Sequence, residues 1–235
     1  MPGRSISVVV PALNEERNLA GTVAEIHGEI SRHFDDYEVL LIDDGSTDRT
    51  GAIADELARA DPRVKAFHNG VNRGLGYSYF RGVAEAAKEY VVMVPGDREN
   101  SLEGMAPMWP LLGSVDIIAP YTANPEVRPW ARRTFSRFST ALMNLLFGTR
   151  LRYYNGTVVH RLATLRTVRV ESHGFLYQAE SLVRLIRRGA SVAEVGILIR
   201  GRPSGKSKVF KLKNLRSVAA TLLRLVWTVR ILGKA

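Results

Sequence analysis

Tyr90-Val-Val-Met-Val-Pro-Gly-Asp-Arg-Glu-Asn100 is an apolar, β-favouring run that stops abruptly at Pro95-Gly96 and is followed at once by two carboxylates, Asp97 and Glu99. A buried strand that ends in a Pro-Gly turn delivers its next residues to the carboxyl edge of a sheet. In open α/β sheets that edge is where ligands bind. Alternate residues of an extended segment share a face, so Asp97 and Glu99 are placed to point at one divalent cation. Taken alone, the stretch reads equally as a strand followed by a solvated acidic turn. The rest of the chain decides between the two.

Toward the N-terminus the pattern repeats. Ile6 to Val10 reads as a buried strand ended by Pro11, and Asn14 or Asn18 is the expected cap of a helix with apolar positions Leu19, Val23, Ile26 and Ile30. A second strand, Tyr37 to Ile42, breaks at Asp43-Asp-Gly-Ser-Thr-Asp48, and a helix over Thr50 to Ala60 leads to a third strand, Val64 to Phe67. Asn72-Arg-Gly-Leu-Gly76 is a Gly-rich turn opening a helix over Tyr77 to Glu89. Strands alternating with helices predict a mostly parallel sheet covered on both faces.

Downstream, Pro107, Pro110 and Gly113 interrupt the chain before a strand over Val115 to Ala119. The character changes from Asn124. Arg128 to Arg137 is basic and aromatic, Phe138 to Phe147 is an apolar helical run, and Tyr153-Tyr-Asn-Gly-Thr157 reads as a loop. An amphipathic helix over Tyr177 to Arg188 is closed by Gly189, and a strand over Val192 to Ile199 leads into a Gly- and Lys-rich loop, Arg200 to Lys208. Leu212 to Leu232 reads as a basic amphipathic helix. These segments divide into residues 1–210, with a first half (1–122) and a second half (123–210), followed by a tail over 211–235.

Composition sets the partner class. The 235 residues are 46% hydrophobic and 24% charged, ordinary for a folded chain with a sizeable core. There is no cysteine, which excludes disulfides and thiolate metal sites and is compatible with a reducing compartment. A formal charge of +10 and a pI near 10.1 imply an anionic partner, and the excess is concentrated between Arg128 and Lys234. Met1-Pro-Gly-Arg-Ser runs straight into a strand-like segment, so no signal peptide is read there, and no stretch has the roughly 18–20 apolar residues of a membrane span. The five histidines, His27, His33, His68, His160 and His173, show no metal-ligand spacing.

Pro11-Ala-Leu-Asn-Glu15 and Asp43 to Asp48 each follow a strand, so both are expected at one sheet edge, where carboxylates suit base or ribose donors and turn amides suit phosphate. Together with Asn72 to Gly76 and the strand ending at Asp97, these blocks resemble a family 2 inverting glycosyltransferase of the GT-A nucleotide-sugar fold. Gly174-Phe-Leu-Tyr-Gln-Ala-Glu180, Glu194-Val195 and Arg202-Pro-Ser-Gly-Lys-Ser-Lys208 are similar to the signature of dolichyl-phosphate mannose synthases and their bacterial polyprenyl-phosphate relatives. The resemblance spans roughly residues 5–210.

It implies an α/β, Rossmann-like fold with a mostly parallel central sheet flanked by helices, which the C-terminal amphipathic helix read from the residue pattern follows. Pro11, Ala12, Leu13, Glu15, Ile42, Asp44, Gly74, Leu75, Gly76 and Asp97 would bind a nucleotide-sugar donor carrying GDP or UDP. Asp97 would be the catalytic carboxylate and, with Glu99, would hold Mg²⁺ or Mn²⁺; the family's first metal-site carboxylate is replaced here by Pro95. Arg132, Arg133, Ser136, Arg202 and Lys208 would contact a lipid-phosphate acceptor. Glu180 is the best-placed spare carboxylate for a base, with a structural role equally open.

The activity implied is transfer of a sugar, with inversion, to a polyprenyl phosphate. Transfer to a hydroxyl of a glycolipid or polysaccharide, or a catalytically inert relative, are the alternatives. A basic nucleic-acid-binding protein would explain the charge but not acidic motifs at successive strand ends, so nucleic acid is not expected as a partner. The basic tail and the helix over Trp130 to Phe147 are expected on a membrane surface, on the cytoplasmic face, and a homo-oligomer is left open.

Overall fold

The computed structural model describes residues 4–97, 102–174, 176–199, 221–231 and 233. Its strands are β1 (Ser5–Ala12), β2 (Asp36–Asp43), β3 (Val64–His68), β4 (Tyr90–Met93), β5 (Ile117–Thr122), β6 (Val159–Arg161) and β7 (Val192–Ile197). They form one sheet in the order β3-β2-β1-β4-β6-β5-β7. β6 runs antiparallel to both of its neighbours, β4 and β5, while the other pairings are parallel. All the strands except β6 therefore end at the same edge.

Alternation along each strand sends side chains to two cores. Ile6, Val8 and Val10 of β1, Val39 and Leu41 of β2 and Tyr90 and Val92 of β4 enter one cluster, with Leu19, Val23, Ile26 and Ile30 of α1 (Leu19–Ile30). Val9, Leu40, Ile42 and Val91 enter the other, with Tyr79 and Val83 of α3 (Leu75–Glu85). Both faces are covered, which is why these strands read as continuous apolar runs rather than half-polar ones. α2 (Thr50–Ala60) joins α1 on the first face. α4 (Trp130–Phe147), the short α5 (Leu162–Leu165) and α6 (Tyr177–Arg187) close the second.

Several local expectations are corrected. Neither Asn14 nor Asn18 caps α1 through its side chain. The Asn18 amide instead donates to Glu15 Oε2 at 2.7 Å, and Asn14 adopts φ 57° and reaches across to the next loop. α3 begins at Leu75 and ends at Glu85 rather than running from Tyr77 to Glu89. Its end is set from outside: Glu38 takes the Ala87 N–H at 2.7 Å, and the Arg166 guanidinium donates to the carbonyls of Val83, Ala84 and Ala86. The Pro107–Pro110 stretch is a 3₁₀ helix, Glu103–Leu111, burying Met105, Met108 and Trp109.

The largest correction concerns the tail. Residues 221–231 form a last helix, α7, whose Leu225 and Val229 are 2% and 1% exposed within the second core. Leu222 and Val226 pack against the same cluster, and Arg224 pairs with Glu171 at 3.4 Å. The apolar face expected to meet a membrane is, over these residues, covered by the protein itself; Leu223 and Trp227 remain exposed. Among the described residues no helix is long and apolar enough to cross a membrane.

Candidate functional site

Backbone pairing continues past the strand ends and gathers the motifs. Asp44 N–H donates to Ala12 O at 2.9 Å, Asn69 N–H to Asp43 O at 2.9 Å, and Gly96 N–H to Pro11 O at 3.1 Å. The chain therefore enters the loops after β1, β2, β3 and β4 side by side. Pro95, without an N–H, sits between two residues that do donate to β1, Val94 to Val9 O at 2.9 Å and Gly96. A Cβ at Gly96 would approach that of Ala12 to 3.2 Å, so this turn closes tightly over the start of the first motif and sets Asp97 beside it.

The first two motifs are stitched together. Asn14 N–H donates to Ser46 Oγ at 3.0 Å while Thr47 N–H donates to Asn14 Oδ1 at 2.9 Å. Glu15 N–H donates to Thr50 Oγ1 at 2.7 Å, and Arg49 N–H to Glu16 Oε2 at 3.1 Å. Two loops over 30 residues apart in sequence thus form one rigid lip, with Leu13 exposed on it. Such side-chain-to-backbone links are what Asn, Ser, Thr and Asp provide in turns.

Asp44 is only 4% exposed and organises the third motif. Its Oδ1 accepts from Asn69 Nδ2 at 2.8 Å and Arg73 N–H at 2.9 Å, and its Oδ2 accepts from Gly74 N–H at 2.9 Å. Asn69 was not singled out in the sequence, although its place at the end of β3, before Gly70, is the signal that could have found it. Gly74, at φ 96°, lies where a Cβ would stand 2.7 Å from His173 O, and Gly76 N–H donates to that oxygen at 2.8 Å. The Gly-rich turn is accordingly wedged between Asp44 and residues 172–173, which belong to the second half of the chain.

Asp43 is tied to structure as well: Oδ1 accepts from Ser46 N–H at 3.0 Å and Oδ2 faces His68 Nδ1 at 3.2 Å, while His68 Nε2 faces Asp55 at 3.0 Å. Burial opposes the charged imidazole, but the hydrogen bonds to Asp55 and Asp43 outweigh it and raise His68 above its ordinary value.

Glu180 is equally committed. It is 2% exposed, accepts from Glu171 N–H at 3.1 Å, Ser172 N–H at 3.0 Å, the Ser172 hydroxyl and Arg184 Nε at 2.9 Å. A carboxylate so enclosed holds the 171–172 segment, and through it the wall behind Gly74 and Gly76.

The expected acceptor residues Arg132, Arg133 and Ser136 lie on α4, on the side that carries the buried Met143 and Phe147. On the opposite side Trp130, Phe138 and Leu145 fall within about 80° of one another and are 73%, 66% and 76% exposed. Glu99, Arg202 and Lys208 lie outside the described residues.

Among the described residues no three histidine or acidic side chains form a ready-made metal cage. Asp97 at the carboxyl edge is nonetheless a hard-oxygen donor of the kind that holds Mg²⁺ or Mn²⁺ jointly with substrate phosphates, which supply the remaining ligands. The donor set fits a cation brought in with a diphosphate.

Residues 7–175 match the family described as "Glycosyl transferase family 2". The chain is 32% identical, over 88% of its length and 82% of the relative's, to the polyprenol monophosphomannose synthase of Mycolicibacterium smegmatis. It is 26% identical to the undecaprenyl-phosphate mannosyltransferase of Micrococcus luteus, over 87% of both chains. In fold it resembles the glucosyl-3-phosphoglycerate synthase of Mycobacterium tuberculosis, solved with Mn²⁺, UDP and glucosyl-3-phosphoglycerate, at a TM-score of 0.67 and 21% identity over 95% of this chain and 80% of that one. The same enzyme has also been solved with Mg²⁺ and UDP.

Proposed function

The chain belongs to glycosyl transferase family 2, and from that premise we propose that it moves a sugar from a nucleoside-diphosphate donor to a polyprenyl phosphate at a membrane surface, with inversion at the anomeric carbon. The observation that carries this reading is the gathering of the Pro11–Glu15, Asp43–Asp48, Gly74–Gly76 and Asp97 segments at one sheet edge. The similarity to two enzymes named for polyprenyl-phosphate mannosylation supports the acceptor class.

In this reading the stitched lip of residues 13–16 and 46–50 and the turn held by Asp44 form the nucleotide-binding wall. Asp97 faces the diphosphate. A divalent cation held there by Asp97 would neutralise charge on the departing nucleoside diphosphate. The acceptor's phosphate oxygen is already anionic, so the attack on the anomeric carbon needs no side-chain base. That agrees with Glu180 being enclosed by hydrogen-bond donors.

Membrane contact is assigned to α4. Its exposed stripe of Trp130, Phe138 and Leu145 with Arg137 alongside suits an anionic lipid surface. Arg132, Arg133 and Ser136, on the inward side of the same helix, then stand between that surface and the sheet edge, where a lipid-borne phosphate must arrive. The site lies on the cytoplasmic face, where nucleotide sugars are available.

The test is transfer from a panel of UDP- and GDP-sugars to a short prenyl phosphate, with Mg²⁺ or Mn²⁺ and product detection by mass. A glycosyl prenyl phosphate with the anomeric configuration opposite to the donor's is the expected product, and Asp97→Asn should remove it while preserving the fold. Absence of product with every donor, from a chain that still binds nucleoside diphosphate, would defeat the reading.

A further inference from the structure

Two arginines outside the expected acceptor set are mounted on tyrosine rings at the catalytic edge. The Arg152 guanidinium carbon lies 4.6 Å from the centroid of the Tyr121 ring, and that of Arg128 lies 5.5 Å from the centroid of Tyr153, with a long contact of 3.5 Å to its hydroxyl. Tyr121 is one residue from the carboxyl end of β5. Because β4 and β5 both run antiparallel to β6, this end points the same way as the end of β4 that leads to Asp97. A guanidinium held over a ring is positioned by it, and its fork of N–H donors matches a phosphate.

The loop that carries Arg152 is clamped from several sides. Asn144 of α4 donates to Leu151 O at 2.8 Å and accepts from Leu151 N–H at 3.1 Å, and the same amide oxygen accepts from the Tyr154 hydroxyl at 2.8 Å. Arg152 N–H donates to Glu194 Oε1 of β7 at 2.6 Å. Gly156 packs where a Cβ would stand 2.7 Å from Pro120 O. Tyr121 is fixed in its turn against Gly196, where a Cβ would come within 3.2 Å of the ring and its hydroxyl. Leu151 and Tyr154 are buried, and Arg152 between them is exposed. Clamping of this kind removes the ordering cost from whatever the exposed side chain binds.

We propose that Arg152 on Tyr121 and Arg128 on Tyr153 form an anion grip for a phosphate monoester, the phosphate of the acceptor. The assignment rests on the glycosyl-transfer reading and deepens it. The grip continues onto the inward face of α4, which begins two residues after Arg128 and carries Arg132 and Arg133. Two sources offer this chemistry: a prenyl phosphate in a membrane, or a small soluble phosphate monoester.

The test uses the full chain and Arg152→Ala, Arg152→Lys, Arg128→Ala and Tyr121→Leu, titrated calorimetrically with farnesyl phosphate in detergent, farnesol, glycerol 3-phosphate, and UDP or GDP with Mn²⁺. Loss of a charge-assisted contact predicts weakening of the phosphate monoester by about tenfold or more in Arg152→Ala. Arg152→Lys should recover part of that loss, Tyr121→Leu should show a smaller loss, and farnesol and nucleoside diphosphate should bind as in the parent. Stronger binding of farnesyl phosphate than of glycerol 3-phosphate identifies the lipid source, and the reverse order identifies the soluble one. Phosphate binding unchanged in Arg152→Ala and Arg128→Ala overturns the grip, as does equal loss of nucleoside diphosphate, which marks general damage. A parent chain that transfers sugar while Arg152→Ala transfers with the same acceptor KM overturns the grip alone. A parent chain that binds neither nucleotide nor phosphate overturns the underlying reading with it.

Discussion

Asp44 Oδ2 accepts the Gly74 N–H at 2.9 Å, joining the end of β2 to the turn that opens α3 across 30 residues of chain. The other oxygen holds Asn69 and the Arg73 N–H, so one buried carboxylate ties three segments of the proposed nucleotide wall together. An amide in its place would offer one oxygen and turn an NH₂ toward an N–H. Asp44→Asn is therefore expected to cost about 1–3 kcal/mol of stability and to weaken nucleoside diphosphate binding in parallel. Denaturant unfolding and a nucleotide titration on the same sample check this. Intact stability and intact affinity together would show that the carboxylate's charge is not what holds the turn.

Gly76 and Gly28 are helical glycines with opposite expectations. At Gly76 a Cβ would run into Ser172 O and stand 2.7 Å from Tyr177 Cβ; at Gly28, in α1, it would meet nothing within 4 Å. Gly76→Ala must push α3 away from residues 172–173, a cost of about 1–3 kcal/mol. Gly28→Ala should instead gain about 0.5–1 kcal/mol from helix propensity. Paired unfolding curves read both signs. In addition, Gly76→Ala should lower transfer because the displaced helix carries the Gly74–Gly76 turn.

His160 sits in β6 between Val91 and Ile117, fully buried, with Nε2 3.2 Å from the Gln178 amide nitrogen. Burial pushes its pKa down to about 3. The unfolded chain, with an imidazole near 6.5, then binds a proton that the folded chain refuses between those values. The stability this neutral histidine contributes is complete above about pH 6.5 and is lost as pH falls toward 3, by about 2 kcal/mol at pH 5. Half-exposed His68 works in the opposite sense: its raised pKa stabilises below about 6.5 and fades as pH rises through its folded value. Unfolding free energies at pH 7.5 and 5 for the parent and His160→Gln test the larger effect. An equal acid loss in both chains would refute it.

The sheet and its motifs were legible because both signals are local. β1, β2 and β4 are buried on two faces, so their apolar runs stand out, and each motif follows directly on a strand that ends at the shared edge. What escaped the sequence depends on partners distant in the chain. The stitch between Glu15 and Thr50, the bond from Asn69 to Asp44 and the stacking of Arg152 on Tyr121 all join residues 25 or more positions apart. β6, three residues long, carries too little pattern to show that it runs antiparallel. The apolar face of α7 was visible as a face, but periodicity does not say what covers it; Leu225 and Val229 are covered by the second core.

Glu180 offers a last, sharp distinction between holding and catalysing. It is paired with Arg184 at 2.9 Å inside the protein, and its other bonds come from the backbone of Glu171 and Ser172 and from the Ser172 hydroxyl. Glu180→Gln removes the carboxylate that faces a buried guanidinium and turns an NH₂ toward one of the donors, so the loss in stability should reach about 3–5 kcal/mol. A general base would behave in the reverse way, with kcat lost, the unfolding midpoint kept and one limb of the pH–rate profile removed. If Glu180 positions rather than reacts, the variant is strongly destabilised. Its surviving folded fraction, measured well below its midpoint, should keep the parent's pH–rate profile and show mainly a raised donor KM, because Ser172 and His173 back the Gly74–Gly76 turn. A stable variant with no turnover would reassign Glu180 to the chemistry.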